Sequence, residues 1–262
     1  MNLDLDGKNA IVCGASRGIG RACAVALAEQ GARVTLLARD EDSLREALNA
    51  LPGDSDRGHH YVLVDFSDIE GTGKQLAGIV RNSGPVHIVI NNSGGPAAGP
   101  ANAAPVKQFE QAFRQHLLAN QIVLQAVVPG MKEAGYGRIV NIISTSVKEP
   151  IPGLGVSNTI RGAVASWAKT ISRELAAFGI TVNNVLPGFT ATERLDYLFQ
   201  QRAEKSDLSF AEVKSQAMAK VPAGRFAEPR EIANAVAFLC SPAAAYINGV
   251  NLPVDGGRVG SL

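Results

Sequence analysis

A chain of 262 residues, 46% of them hydrophobic, is long enough to bury a large core and suits one α/β domain, residues 1–262. Its 25 basic and 24 acidic residues leave a formal charge of +1, without the basic excess that marks nucleic-acid or anionic-membrane partners. MNLDLDGK lacks the basic start and apolar run of a signal peptide, and the longest charge-free stretch, 83–106, is too rich in Gly, Pro and Asn for a membrane helix. A cytoplasmic protein is therefore expected. Cys13, Cys23 and Cys240 fall within expected strands and helices, so they read as buried free thiols, with neither disulfide nor metal-ligand spacing.

The elements alternate. Ala10–Cys13 is a short apolar, β-branched run, followed by Gly14, Gly18 and Gly20 and an alanine-rich amphipathic helix that stops at Gly31. Strand, glycine turn and helix form the context a phosphate-binding loop requires, because glycine lets the backbone approach a pyrophosphate and the helix start offers free N–H groups. Arg33–Ala38 reads as a second strand, Asp40–Leu51 as a helix with acids in its first turn, and His60–Asp65 as a third strand. A helix from about Ser67 to Arg81 leads to a fourth strand, Val86–Asn91. A long helical pattern, Val106 to about Ala134, precedes the fifth strand, Arg138–Ser144. Another long helix, Val156–Phe178, precedes the sixth strand, Thr181–Leu186. The polar, least patterned segment 194–224 follows and reads as a substrate lid or a surface excursion. A helix from about Pro229 to Cys240 and a last strand, Asn251–Val254, complete the chain. The alternation predicts a single Rossmann-type doubly wound parallel sheet of about seven strands with helices on both faces.

In such a sheet ligands collect at the carboxyl ends of the strands. A carboxylate ending the second strand would bind the ribose hydroxyls of NAD and repel the 2′-phosphate of NADP. Here Ala38-Arg39 stands at that point, with Arg17 in the glycine loop as a second guanidinium and Asp40 one residue late. Two guanidiniums suit a 2′-phosphate, so NADP(H) is the expected cofactor.

These residues carry a resemblance to the short-chain dehydrogenase/reductase family that runs from end to end. CGASRGIG matches the family's TGxxxGxG apart from its first residue, and NNSG ends the fourth strand where the family has NNAG. VDF at 64–66 is similar to the family's adenine-contacting pair, and NNVLPGFTATER at 183–194 to the segment that lines the nicotinamide. The stretch GRFAEPREIANAVAFLCSPAAAYINGVNLPVDGG resembles the family's C-terminal block. The resemblance implies a cofactor site of Gly14, Ser16, Arg17, Gly18, Ile19, Gly20, Arg39, Asp65, Phe66, Asn92, Ser93, Gly94, Arg161, Pro187, Gly188, Thr190 and Thr192. It leans towards 3-oxoacyl-(acyl-carrier-protein) reductases and related carbonyl reductases. It further implies a homotetramer packed through the two long helices and the last helix and strand.

The family's chemistry uses a tyrosine as proton donor, a lysine that lowers its pKa and binds the ribose, a serine on the carbonyl oxygen, and an asparagine that anchors a relay water. Ser144 falls on the serine position. Ser157 stands where the tyrosine is expected, Arg161 where the lysine is, and His116 where the asparagine is, with Asn120 one turn further. An aliphatic hydroxyl is a poor general acid, and a guanidinium does not exchange protons at neutral pH. His116, with the ordinary pKa range of its type, Lys148 and Tyr197 are the alternative donors. Two readings follow. One is an NADP(H)-dependent reductase of a small-molecule carbonyl substrate, such as a 3-oxoacyl thioester, with an atypical donor; a sugar or polyol dehydrogenase would share its site. The other is a catalytically impaired NADP(H)-binding protein with a regulatory or assembly role, favoured by the absence of any tyrosine with a lysine four residues on.

Overall fold

In the computed structural model, which describes residues 1–53 and 57–261, seven short strands pair in one parallel sheet. They are β1 (Asn9–Cys13), β2 (Arg33–Ala38), β3 (His60–Leu63), β4 (Ile88–Asn91), β5 (Gly137–Ile142), β6 (Ile180–Pro187) and β7 (Asn251–Val254), in the order β3-β2-β1-β4-β5-β6-β7. Successive side chains on a strand point to opposite faces, and both faces are apolar, so each is covered by helices. Val12, Leu36, Ile90 and Val140 pack with α1 (Gly18–Glu29), α2 (Glu41–Asn49) and α9 (Pro229–Cys240). Ile11, Leu37, Val89 and Ile139 pack with α3 (Ile69–Ser83), α5 (Ala119–Ala134) and α6 (Gly155–Leu175). The strand order reverses beside β1, whose neighbours are β2 and β4, and this opens a crevice at their carboxyl ends.

The expected boundaries hold within a few residues, with three informative differences. The third strand ends at Leu63, before the exposed Asp65, which turns away to hold Ser67. The first long helical pattern is divided: α4 (Val106–Phe113) passes into α5 through one π-helical stretch, Arg114–Leu118. The 194–224 segment contains two helices, α7 (Glu193–Ala203) and α8 (Phe210–Met218), with an apolar cluster of their own. Phe199 lies 6.0 Å from Phe189 and 5.6 Å from Phe226, ring centre to ring centre.

A ladder of amides crosses the sheet, buried from Asn91 to Asn184 and exposed at Asn251. Asn91, Asn141, Asn184 and Asn251 occupy matched registers on β4, β5, β6 and β7. Each Nδ2 donates to the next Oδ1 at 2.8 Å, from Asn91 through Asn141 and Asn184 to Asn251. Among the described residues no helix is long and apolar enough to cross a membrane, and the three cysteines are free and buried.

Candidate active site

The glycine turn is shaped by close backbone approach. A Cβ on Gly20 would lie 2.1 Å from the Gly14 carbonyl oxygen, and one on Gly14, at φ +60°, would lie 2.7 Å from the Asn92 carbonyl oxygen. Asn92 closes the contact from the end of β4, its Nδ2 donating to Gly14 O at 3.1 Å. Gly18 opens α1 at φ +55°, facing the Thr192 methyl group. Arg17 at the N-cap makes no side-chain cap, so the first amides of α1, around Ile19 and Gly20, keep the unpaired donors and positive dipole end that favour a phosphate. Ser16 is half-buried in the same turn.

At the end of β2, Arg39 is exposed and Asp40 is engaged elsewhere: its side chain caps α2 by accepting from Ser43 N at 2.8 Å. The Ser43 hydrogen bonds hold the Asp40 carboxyl below the usual range, with Arg17 adding to the effect. The carboxylate one residue late in the sequence is thus committed to a helix start. Asp65 accepts from Ser67 N and Oγ, which lowers its pKa, and Arg39 lies near enough to lower it further. Phe66 packs beneath it against the α3–α5 side of the core. Arg17 Nη1 pairs with Glu193 Oε2 at 2.9 Å, both side chains largely exposed.

The other half of the crevice is built from buried polar side chains. Arg161, on α6, is 9% exposed and donates from Nη1 to the Ile142 carbonyl at 2.8 Å. Burial, and then Arg194, push its pKa down to about 10, which leaves it charged at neutral pH. His116 sits on the π-helical stretch, 3% exposed, with Nδ1 hydrogen-bonded to Ser93 Oγ at 2.8 Å. Its Nε2 has no hydrogen-bond partner among the described residues. Burial, and then Arg161, lower the His116 pKa to about 3. The near-neutral range expected from the sequence is therefore not met: with no ligand charge beside it, this imidazole is neutral. A helix must widen to present a side chain this way, and π-helical turns recur at functional sites.

Ser144, at the end of β5, uses its Oγ to accept from Ser146 N at 3.1 Å, which caps the turn that follows. Ser157 lies half-buried one turn before Arg161 on the same helix, and Asn120 lies half-buried on α5. Pro187, Gly188, Thr190 and Thr192 continue from β6. A Cβ on Gly188 would meet Asp255, Thr190 Oγ1 donates to Gly188 O at 3.3 Å, and Thr192 caps α7 by accepting from Leu195 N. Arg194 reaches back across the cleft mouth, its Nη2 donating to Gly95 O (3.3 Å) and Pro96 O (2.8 Å), just beyond Ser93 and Gly94. Tyr197 is 54% exposed with its ring under the Arg194 guanidinium, on the outer side of α7. Lys148 follows the Ser144 turn, half-buried.

Gly14, Gly20 and Asn92 therefore meet in one contact, Gly18 faces Thr192, and Ser93, His116 and Arg161 gather in another group. Asp65 and Phe66 stay at the β3 end, across β2 from the glycine turn. Three features escaped sequence reasoning: the Ser93–His116 bond, the reach of Arg194 to Gly95 and Pro96, and the placement of Arg258. This last residue donates to Thr145 Oγ1 at 3.1 Å and lies over the Phe189 ring. The first had a signal, since Ser93 and His116 both depart from the resembled pattern and meet in space.

The sequence family described as Enoyl-(Acyl carrier protein) reductase matches residues 14–258. The chain is 35% identical over 257 residues to the 3-oxoacyl-(acyl-carrier-protein) reductase of Vibrio cholerae, covering 97% of this chain and 98% of that protein. It is 33% identical over 258 residues to gluconate 5-dehydrogenase of Gluconobacter oxydans, covering 98% and 97%. The structure of L-sorbose reductase from Gluconobacter frateurii, complexed with NADPH and L-sorbose, superposes with a TM-score of 0.91 at 28% identity over the whole of both chains.

Proposed function

The chain belongs to the short-chain dehydrogenase/reductase family, and from that premise we propose that it is an NADP(H)-dependent oxidoreductase that reduces a carbonyl compound. The observation that carries this reading is the glycine turn at the switch point, where Gly14 and Gly20 pack against each other and Asn92 with no room for a Cβ, and where the first amides of α1 are left uncapped. Uncapped helix-start amides beside a glycine turn favour an anion, and the pyrophosphate of a dinucleotide fits. Gly14, Ser16, Gly18, Ile19 and Gly20 hold the phosphates, and Asn92, Ser93, Gly94 and Arg161 border the nicotinamide ribose. Asp65 and Phe66 flank the adenine, while Pro187, Gly188, Thr190 and Thr192 line the nicotinamide. Arg17 and Arg39 face the 2′-phosphate, a role supported by the diversion of Asp40 into its helix cap.

When bound, the nicotinamide supplies hydride. The chain's own task is to hold the carbonyl oxygen and deliver a proton. In this reading Ser144 Oγ binds the oxygen, Ser157 adds a second hydroxyl, and Arg161 supplies fixed positive charge where the resembled lysine would stand. His116, a neutral imidazole bonded to Ser93 at Nδ1 and without a partner at Nε2 among the described residues, is placed to relay that proton. The site is atypical in that a Ser157-x-x-x-Arg161 pair replaces a tyrosine and a lysine. The second reading, a catalytically impaired nucleotide-binding protein with a regulatory or assembly role, is favoured by one observation: burial holds His116 neutral near pH 7, without the imidazolium proton of a general acid.

Carbonyl substrates include 3-oxoacyl thioesters and sugars, the classes named for the relatives above. The 194–224 segment acts as a lid over one 1–262 domain, supported by an apolar cluster in which its helices pack on each other and on Phe189 and Phe226. A homotetramer through α5, α6, α9 and β7 is supported by the half-exposed apolar groove between Val128, Pro129 and Ile171. A cytoplasmic setting is supported by three reduced, buried cysteines.

The test is a fluorescence titration with NADPH and NADH, followed by thioesters and ketones in the same cuvette. Tight NADPH binding with turnover of one substrate sustains the first reading. Binding without turnover throughout sustains the second. No binding of either nucleotide refutes both.

A further inference from the structure

A buried charge is normally paired, because leaving water is costly unless a counter-charge or several hydrogen bonds compensate. Arg161 breaks that rule. Arg161 is nine-tenths buried, and among the described residues its hydrogen bond runs from Nη1 to the Ile142 carbonyl. Among the described residues the ion pairs are Arg17–Glu193, Arg45–Glu41, Arg225–Glu231 and Arg230–Glu29, and none includes Arg161 or Arg194. The charge felt by Arg161 is instead that of a second guanidinium, Arg194, held over the mouth of the cleft by the Gly95 and Pro96 carbonyls. The third wall is His116, buried, anchored by Ser93 at Nδ1, with Nε2 unpartnered. Two guanidiniums with no ion-pair partner among the described residues leave one component missing, an anion.

We propose that Arg161 and Arg194 form an anion subsite, and that the carbonyl compound reduced here carries a carboxylate bound at that subsite. This rests on the reductase reading above and narrows its substrate class. A planar guanidinium offers paired donors matched to the two oxygens of a carboxylate, which a lysine ammonium at the same position would not. The subsite lies between the ends of β4 and β5, beside Ser144, so a ketone bound there has its carboxylate on the Arg161 side and its carbonyl oxygen towards the serine.

The experiment is isothermal titration of the full chain, saturated with NADP⁺, using 2-oxopentanoate and 4-oxopentanoate and the methyl ester of each. Oxidised cofactor prevents turnover, so the readout is binding. At least one acid is expected to bind about 10-fold or more tightly than its ester, the range of a charge-assisted hydrogen bond. Arg161→Gln and Arg194→Ala are each expected to erase most of that preference, and Arg161→Lys to keep part of it. Arg194 is exposed, so its variant remains informative if removal of the buried Arg161 impairs folding. Equal binding of acid and ester, or a preference that survives Arg194→Ala, overturns the proposal. Acid binding that NADP⁺ displaces also overturns it, because the anion would then occupy the cofactor's phosphate cradle. Failure of NADP⁺ itself to bind refutes the reductase reading, while the same titration without nucleotide still decides the subsite.

Discussion

Two polar clusters, the asparagine ladder across β4 to β7 and the Ser93–His116–Arg161 group at the cleft, differ in how far each is satisfied. In the asparagine ladder every amide from Asn91 to Asn184 passes its donors to the next strand, and the single loose end is Asn91 Oδ1. In the cleft group Ser93 and His116 satisfy each other once, whereas Nε2 and the Arg161 charge are left open. The ladder closes on the protein and adds to stability. The cleft group leaves its valence for something else, and the fold tolerates that cost because the rest of the sheet is well packed. Polar burial that serves structure and polar burial that serves a ligand can therefore be told apart by counting what remains unpaired.

The comparison can be broken from either side. Asn141→Leu removes the middle rung and strands the Asn91 donor and the Asn184 acceptor, which at about 1–3 kcal/mol each predicts a loss of about 2–5 kcal/mol in urea unfolding. A loss below about 1 kcal/mol would show the ladder to be incidental. Next in size is the pH response of His116. Its folded pKa is about 3 against an ordinary 6.5, so between those limits the unfolded chain binds the extra proton and stability falls as pH falls. The slope reaches at most about 1.4 kcal/mol per pH unit. His59 and His87 are lowered too, so the measurement is the wild-type curve minus that of His116→Asn, from pH 7 to pH 4.5. A flat difference would refute the buried neutral imidazole.

Arg161→Met sharpens the contrast. Removing an unpaired buried charge is predicted to leave stability unchanged or raise it by about 1 kcal/mol, while ligand binding is lost. Destabilisation beyond about 3 kcal/mol would make Arg161 a structural residue like those of the ladder. Smallest is Glu193→Gln. The exposed pair it breaks contributes less than about 1 kcal/mol. Release of Arg17 should tighten NADPH binding several-fold by fluorescence titration, and unchanged affinity would remove Arg17 from the 2′-phosphate site.

The strands and the glycine turn were legible in the sequence because each rests on local chemistry: apolar runs such as Ile11–Cys13, and glycines at 14 and 20 where a Cβ has no room. The Ser157 and Arg161 positions were picked out by the family resemblance, and helical spacing showed only that the two share one face. What spacing cannot give is which groups meet. Ser93 and His116 lie 23 residues apart and touch only because β4 and a π-helical stretch converge, and nothing in helical periodicity announces a π turn. The ladder was hidden for the same reason, since its four asparagines become one feature only once the strand register is known. The helices of 194–224 were obscured by their charged surface; their apolar residues face each other and Phe226, not the main core. His116's pKa was misjudged because burial, which sets it, is a tertiary property.

The most direct test of the oxidoreductase reading uses NADPH deuterated at both C4 positions, with mass spectrometry of the products from a panel of oxo acids, their esters and 3-oxoacyl thioesters. The account predicts a hydroxy product carrying one deuterium on the former carbonyl carbon, formed from an oxo acid in preference to its ester. No deuterium in any product from the wild-type protein, together with its appearance in a Ser157→Tyr, Arg161→Lys double variant, would contradict it and leave a nucleotide-binding protein whose chemistry has been lost.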